Sequence, residues 1–457
     1  MPRATAQGIY CPDQVATIVF DGIDSSGPSE SGVVGIDEEH SLIIEIGAPM
    51  DLPTGVDQPG APNQITMARY YGDAYPGYYD AADAAEVDAI TDLYGGGIPR
   101  YAAIMAKFCA HVMERSGARQ INVAGASMGA YVARWMIEND YEGLASSGRI
   151  ARFITLEGVV CGNWICSQGG SLADLLDDDY DIDTIDVEQM DYDWLEANLH
   201  NPRTEMDSPL YANMIVMHWI STDDDLYESA LTLASGEAND GIGLCVDAYF
   251  HEVTERSKYF GQRPTKSFAY ATHDSLRDYP GIRAGLAADL TSTRRVRVTL
   301  QTVRVTDLPE SAIMGEGEAV FGCEVYSPRA ATRFGVTDPV NRIDYLGRTI
   351  ELIELDEDED VAINQQLFDD FVLPGEQTLR LEFDVREIDN DYFYGIIENP
   401  FGDDTEELDS DITIISTLSN GSYVHESADW RGEILVEVID YPPFILPASA
   451  QEWEIYP

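Results

Sequence analysis

The chain has 457 residues, 44% of them hydrophobic, so it can bury at least one large core, and we expect two domains. Its 82 acidic residues outweigh 27 basic ones and give a formal charge of −55. This charge argues against a nucleic-acid partner, because phosphate binding needs clustered Lys and Arg. No run approaches the ~18 uninterrupted apolar residues of a membrane span, so we expect no transmembrane segment.

The acidic surface has consequences for the source and the environment of the protein. Self-repulsion at low salt destabilises a compact state, and molar salt screens it, so we expect a halophilic or marine source. Divalent cations on a secreted acidic surface are the second explanation. The first residues lack the apolar stretch of a signal peptide, which leaves open an intracellular protein, a mature form or another export signal. Cys161 and Cys166 are close enough to bridge within a loop, and two half-buried thiols explain them equally well.

The first two-thirds of the chain alternate strand-like and helical patterns. The predicted strands are short apolar runs, at Val15–Phe20, Leu42–Ile46, Gln64–Tyr70, Gln120–Ala124, Phe153–Val160, Met214–Ile220 and Ser267–Ala271. Helical periodicity occupies Pro99–Ser116, Ala130–Asn139 and Gly281–Leu290. Such alternation predicts an α/β fold with a mostly parallel sheet covered on both faces, which we place at residues 1–292.

One motif within this region predicts a nucleophile. The strand ending at Ala124 meets Gly125-Ala126-Ser127-Met128-Gly129, and helical periodicity begins at once. Strand, G-x-S-x-G and helix together are typical of a nucleophile elbow, in which glycines leave room for a serine on a tight, strained turn. The helix that follows directs N–H groups and a positive dipole end to the place where an oxyanion would form.

An acidic segment and an aromatic-rich segment of the same region each allow two interpretations. Residues 171–200 are acidic with interspersed large apolar side chains, which fits a solvated pair of helices or a lid over the active site. The aromatic-rich segment Tyr70–Tyr79 fits a substrate pocket or a packed surface loop.

After about Leu290 the pattern changes to alternating strands joined by acidic loops. They lie at Arg295–Val305, Glu318–Tyr326, Thr349–Leu355, Thr378–Val385, Ile412–Ser416 and Glu433–Ile439. This pattern predicts a separate all-β sandwich domain at residues 293–457. A strand that runs into an oxygen-rich loop makes a calcium site a candidate here, and its candidate metal ligands are Asp384, Asp389 and Asp391. A solvated acidic surface explains the same residues.

A serine nucleophile needs a base, and the base needs an orienting acid. His273 directly follows the last predicted strand of the first domain, which places it on the same rim as Ser127. The acid is expected after the strand Met214–Ile220. Three consecutive aspartates follow that strand; we favour Asp224, with Asp223 and Asp225 as alternatives.

The order Ser127, Asp224, His273 resembles that of α/β-hydrolase fold serine hydrolases, and the surrounding residues are similar to bacterial lipases and esterases over about residues 12–290. Met128 after the nucleophile is one such detail, and Asp21-Gly22-Ile23 after the first strand stands where lipases have their His-Gly-X loop. The resemblance implies an oxyanion hole formed by the N–H groups of Ile23 and Met128. Asp21 departs from the usual histidine, and a carboxylate there would oppose the developing charge unless it points away. The second domain resembles calcium-dependent sandwich modules of the C2 kind.

Together these features predict a carboxylic ester hydrolase acting on a small-molecule or lipid ester, with no required cofactor and calcium as a structural option. The rival hypothesis is a binding or adhesion protein whose hydrolase-like domain is inactive and whose sandwich does the work. Asp21 favours the rival, and the intact order of serine, acid and histidine opposes it. The acyl length, the alcohol and the oligomeric state stay open.

Overall fold

The structure of the chain is a computed structural model. It describes residues 15–20, 22, 65–68, 70, 75, 78–169, 183–199, 210–211, 214–221, 231–232, 234–249, 265–268, 272–273, 276, 280–292, 294–305, 317–329, 353–355, 360–373, 375–388, 405–415, 417–428 and 430–440. The chain divides into two compact units, and the division falls between Tyr279 and Pro280.

The first unit is built on a six-stranded sheet in which every neighbouring pair is parallel. Its strand order is β2-β1-β3-β4-β5-β6. The strands are β1 (Val15–Phe20), β2 (Ile65–Ala68), β3 (Gln120–Ala126), β4 (Ile150–Leu156), β5 (Ile215–Ser221) and β6 (Thr265–Phe268). All residues of β1, β3, β4 and β5 are buried, as expected for parallel strands covered on both faces. Because the strands are parallel, their carboxyl ends share one edge, where the loops after β3, β5 and β6 meet.

Helices cover this sheet. They are α1 (Ala81–Tyr94), α2 (Gly97–Ser116), α3 (Met128–Glu138), α4 (Trp164–Gln168), α5 (Thr184–Gln189) and α6 (Tyr192–Asn198). Helix α3 is almost wholly buried, since ten of its residues from Met128 to Ile137 are inaccessible. It therefore lies between the sheet and its neighbouring helices, and the turn that starts it is held on both sides.

The described part of the candidate lid, residues 183–199, packs into this core. The apolar side chains that bury it are Val187, Met190, Leu195 and Leu199. Polar contacts anchor it as well: Gln189 Oε1 accepts from Ile98 N–H at 2.6 Å, and the Tyr131 hydroxyl donates to Gln189 O at 3.0 Å. These bonds join α5 to the beginning of α2 and to α3.

The second unit contains two four-stranded antiparallel sheets, in the orders β10-β7-β14-β13 and β12-β11-β8-β9. Helix α7 (Pro280–Thr291) precedes them. The strands are β7 (Arg294–Val305), β8 (Gly317–Tyr326), β9 (Ile353–Leu355), β10 (Val361–Phe371), β11 (Leu379–Ile388), β12 (Thr405–Ile415), β13 (Gly421–Glu426) and β14 (Trp430–Asp440). Alternate residues such as Val296, Val298, Leu381 and Phe383 form one core between the sheets. The predicted fold class, an α/β-hydrolase-type sheet with a separate all-β sandwich, is confirmed.

Two other expectations can be compared with the structure. Cys161 and Cys166 are buried thiols that are not joined to each other, so the alternative of a disulfide between them is wrong. Burial raises the pKa of the Cys166 thiol to about 12, which keeps it protonated. None of the helices that the structure describes is long and apolar enough to span a membrane. The predicted strand at Leu42–Ile46 lies outside the described residues.

Candidate active site

Ser127 occupies the sharp turn between β3 and α3. Its backbone has φ +48° and ψ −125°, a combination that side-chain-bearing residues rarely adopt. Main-chain bonds hold the turn: Ser127 N–H donates to Leu156 O at 2.9 Å, and Ser127 O accepts from Ala130 N–H at 3.1 Å. The strained backbone is thus imposed by the surrounding sheet and helix, as in a nucleophile elbow.

Gly125 explains why the motif needs a small residue two positions before the serine. A Cβ on Gly125 would lie 2.5 Å from Ala130 Cα and 2.7 Å from Ala130 N. The clash is with the backbone of α3, which cannot rotate away. Gly125 therefore allows the helix to begin directly beside the strand that delivers Ser127.

His273 contacts the serine as the sequence predicts. Its Nε2 lies 3.0 Å from Ser127 Oγ, and the ring is buried except for a small accessible fraction. The residue follows β6 and reaches the carboxyl edge of the sheet where β3 ends. This is the distance over which a histidine can accept the proton of a serine hydroxyl.

The carboxylate at the other ring nitrogen of His273 is that of Asp240, in place of the predicted Asp224. Asp240 Oδ2 lies 2.8 Å from His273 Nδ1. Asp224 and the alternatives Asp223 and Asp225 lie outside the described residues. The sequence prediction chose the first carboxylates after β5, but the chain continues past them before it turns back to the histidine.

A tight turn holds the Asp240 side chain in place. Its other oxygen, Oδ1, accepts the N–H groups of Ile242 at 3.0 Å and Gly243 at 2.8 Å. Asn239 and Leu244 pair across this turn. The sequence Asn239-Asp240-Gly241 is a strong turn signal, and it is the feature from which this residue could have been found.

Gly22, after β1, lies close to Ser127. A Cβ built on Gly22 would lie 3.1 Å from Ser127 Cβ and 3.8 Å from Ser127 Oγ. Ile23, the first predicted oxyanion donor, and Asp21 lie outside the described residues. Met128, the other predicted oxyanion donor, begins α3, where the N–H groups of the first turn have no acceptor within the helix.

The aromatic segment near this loop divides into two parts. Tyr70 is buried beside the site, and its hydroxyl donates to Gly22 O at 3.3 Å. Tyr78 stacks on His111 of α2 with ring centroids 3.9 Å apart, and Tyr79 packs edge-on against Tyr78. The described residues beyond Tyr70 thus pack on the helices.

Metal-binding residues are not grouped in the part of the chain that the structure describes, where no cluster of three or more His, Cys, Asp or Glu could hold an ion. Asp389, Asp391 and the side chain of Asp384 fall outside that part. The calcium prediction therefore stays a prediction.

No protein-family model matches the sequence, and no curated protein matches it either. Among solved structures, the chain is similar to the mature lipase BlEst2 of Bacillus licheniformis, with a TM-score of 0.39, 11% identity, and coverage of 58% of this chain and 88% of that one. A lipase-esterase related protein of Clostridium acetobutylicum gives a TM-score of 0.32 at 11% identity, covering 62% of this chain and 96% of that one. A C2 domain of a plant extended synaptotagmin gives 0.18 at 14% identity, covering 33% and 96%.

Proposed function

We propose that the protein is a serine hydrolase that cleaves carboxylic esters through an acyl-enzyme. The observation that carries this proposal is the continuous chain of contacts from Ser127 Oγ to His273 Nε2, at 3.0 Å, and from His273 Nδ1 to Asp240 Oδ2, at 2.8 Å. A buried histidine held between a serine hydroxyl and a carboxylate is the arrangement that makes serine nucleophilic.

The chemical steps follow from this arrangement. Ser127 Oγ attacks the ester carbonyl carbon while His273 Nε2 takes the hydroxyl proton, and the carbonyl electron pair moves onto its oxygen. As the tetrahedral intermediate collapses, the bond to the alcohol breaks and His273 returns the proton to the leaving oxygen. Water then attacks the acyl-serine with His273 again as base, which releases the acid and restores Ser127.

Asp240 and the main chain supply the electrostatic part of the reaction. Asp240 accepts a hydrogen bond from the Nδ1–H of His273, which fixes the tautomer that leaves Nε2 as the base, and it stabilises the imidazolium that forms. The Met128 N–H at the beginning of α3, with the N–H of Ile23 from the loop after β1, would stabilise the oxyanion. The position of Gly22 supports Ile23 as a donor, because Gly22 lies directly beside Ser127.

No external cofactor takes part in these steps, and the substrate class is a small-molecule or lipid ester. The assembled contacts favour an enzyme over the inactive binding protein. Amides and thioesters would use the same groups, since the serine attacks any of the three acyl carbons.

A fluorophosphonate probe tests the proposal directly. We expect stoichiometric labelling at Ser127, located by peptide mass spectrometry, together with hydrolysis of p-nitrophenyl esters over a chain-length series at several salt concentrations. Ser127→Ala should abolish both. Labelling that persists in Ser127→Ala, or an unlabelled and inactive wild type at every salt concentration, would refute it. Matched amide and thioester substrates then establish the preferred bond.

A further inference from the structure

The oxyanion loop needs support, because its peptide must be held against the nucleophile. Gly22 lies so close to Ser127 that an added Cβ would approach Ser127 Cβ to 3.1 Å and Ala126 O to 3.5 Å. A hole of this kind stabilises charge only if the donor is already oriented when the charge develops. The groups that fix the Gly22 peptide therefore bear on the rate of the reaction.

Tyr70 contacts that peptide. Its hydroxyl donates to Gly22 O at 3.3 Å, and its side chain is 1% exposed. A trans peptide is planar, and its C=O and N–H point in opposite directions. A hydroxyl that holds the Gly22 carbonyl therefore restricts the rotation of the whole peptide plane that follows Gly22.

The Tyr70 ring packs against Tyr101 of α2, which α5 contacts in turn. The rings of Tyr70 and Tyr101 lie 5.1 Å apart between centroids, and the Tyr101 hydroxyl donates to Asp186 Oδ2 at 3.2 Å. Tyr101 belongs to α2 and Asp186 to α5, which Gln189 ties to the beginning of α2. The ring of Tyr70 thus packs against a side chain of α2 that α5 holds in turn, and its hydroxyl bonds to Gly22 O from this packed position.

We propose that Tyr70 is a positioning residue of the oxyanion hole, which orients the Gly22 peptide and through it the oxyanion donor of residue 23. This inference rests on the proposed ester hydrolysis, since an oxyanion forms only in that reaction. Tyr70 does not touch the reacting atoms. Its contribution arises in the transition state, where the donor carries the developing charge, so its loss lowers kcat and leaves ground-state binding unchanged.

Tyr70→Phe keeps the ring and removes only the hydroxyl. We expect kcat to fall about tenfold, below the loss of about 100-fold or more that follows direct removal of an oxyanion donor, with KM within about twofold of wild type. A trifluoromethyl ketone, which forms an anionic hemiketal with the serine, should bind more weakly by the same factor as kcat falls. Rates are taken per active site, titrated with the fluorophosphonate, so that partial unfolding does not imitate the effect.

Tyr131→Phe is the matched control. Tyr131 is equally buried, and its hydroxyl donates to a main-chain carbonyl, Gln189 O, at 3.0 Å. Its loss should lower the thermal midpoint as Tyr70→Phe does and leave kcat and ketone binding unchanged.

Three results would overturn the inference while leaving the hydrolase intact. The first is a Tyr70→Phe enzyme with wild-type kcat. The second is a fall in kcat that Tyr131→Phe matches, and the third is a fall in kcat that leaves ketone binding unaltered. A wild-type protein that neither hydrolyses esters nor reacts with the fluorophosphonate would instead overturn the proposed function, and this inference with it.

Discussion

Asp240 and His273 are joined twice. The Asp240 carboxylate meets His273 Nδ1 at 2.8 Å, and the His273 N–H donates to Asp240 O at 3.1 Å. The loop after β5 and the loop after β6 thus hold each other, and the imidazole is oriented by backbone and side chain together. Since the backbone bond survives a change of side chain, the chemical and structural roles of Asp240 can be separated.

Asp240→Asn should therefore leave the fold intact and lower kcat by about 10⁴, as the corresponding change does in a serine protease triad, because the amide favours the wrong imidazole tautomer. Steady-state kinetics with a p-nitrophenyl ester measures the loss, and a melting curve measures the fold. Asp224→Asn is the control, from the site that the sequence first suggested, and should retain most of the activity. Greater damage from Asp224→Asn would restore the original prediction.

The strained backbone at Ser127 gives a second prediction. Ser127→Ala removes the nucleophile but retains a Cβ at φ +48°, whereas Ser127→Gly removes both the nucleophile and the conformational cost. Both should be inactive. Backbone strain of this kind costs about 1–3 kcal/mol, which exceeds or balances the usual entropic cost of glycine of about 0.5–1 kcal/mol.

Thermal melting of the two variants compares these costs. We expect Ser127→Gly to melt at least as high as Ser127→Ala, against the ordinary effect of glycine. A midpoint for the glycine variant several degrees below that of the alanine variant would mean that the turn is not strained.

His273 is not at a positive-φ position. His273→Ala should therefore lose activity with a nearly unchanged thermal midpoint. Activity above about a tenth of wild type would exclude His273 as the base.

The sequence brings Ser127 and His273 to the same site, as the structure does, because both residues depend on local patterns. Ser127 follows an apolar run and precedes helical periodicity, and His273 directly follows a strand, so each position can be read from a few neighbouring residues. Asp240 depends instead on how a long connection between β5 and β6 folds back. Nearby aspartates are numerous in so acidic a chain, so distance from β5 alone does not distinguish them, and only the turn signal Asn239-Asp240-Gly241 sets Asp240 apart.

Helix α1 and strand β10 are among the elements that the sequence did not predict, for different physical reasons. Helix α1 has a capping box at Asp80 and Asp83 but buries only Val87, so it lacks an apolar stripe. Strand β10 carries register shifts between Ala362 and Gln365 and between Gln366 and Phe368. Such bulges break the two-residue alternation by which a strand is recognised.

Two glycines near the nucleophile should respond differently to the same substitution. In Gly125→Ala the new Cβ meets the Ala130 backbone at 2.5 Å, so we expect a large loss of stability. In Gly22→Ala the nearest atom is Ser127 Cβ at 3.1 Å, where a shift of a few tenths of an ångström suffices. That shift displaces the nucleophile and the oxyanion loop relative to each other.

Gly22→Ala should accordingly keep its midpoint within a few degrees and lose at least tenfold in kcat, since small displacements of reacting groups cost rate steeply. Melting curves and active-site titrated kinetics on both variants test the contrast. Equal midpoints for the two variants would contradict the close packing of Gly125 on α3.

Asp186 should make stability depend on pH. Burial, with the charge of neighbouring Asp183, raises the pKa of its carboxyl from 3.8 to about 7, against the lowering effect of the Tyr101 hydrogen bond. The folded state then holds a proton that the unfolded state has released, so the stabilising contribution is complete below about pH 4 and is lost as pH rises through about 7. The loss is on the order of 2–4 kcal/mol.

Asp186→Asn should remove this penalty, because an amide can still accept from Tyr101 and carries no charge. At constant salt we expect the variant to melt higher than wild type at pH 8 and alike at pH 4. Glu196→Gln, at an exposed position of α6, controls for the general gain from deleting one negative charge. If both variants gain equally at pH 8, the raised pKa of Asp186 is not the cause.

The net charge of −55 predicts that salt stabilises the whole protein. The Debye length falls from about 10 Å at 0.1 M to about 3 Å at 1 M, so the repulsion among carboxylates weakens steadily over that range. We propose that this screening dominates, and that any structural calcium is confined to the second unit. Potassium chloride should then raise the thermal midpoint without early saturation.

Stabilisation by calcium bound at specific loops would instead saturate at micromolar to millimolar calcium and be reversed by a chelator at constant ionic strength. Melting the full chain in both titrations separates the two causes, and Asp389→Asn with Asp391→Asn tests whether a calcium response arises where the sequence places it. A midpoint unchanged between about 0.1 and 2 M salt would refute the halophilic interpretation, and a calcium response that survives the double substitution would place the metal elsewhere.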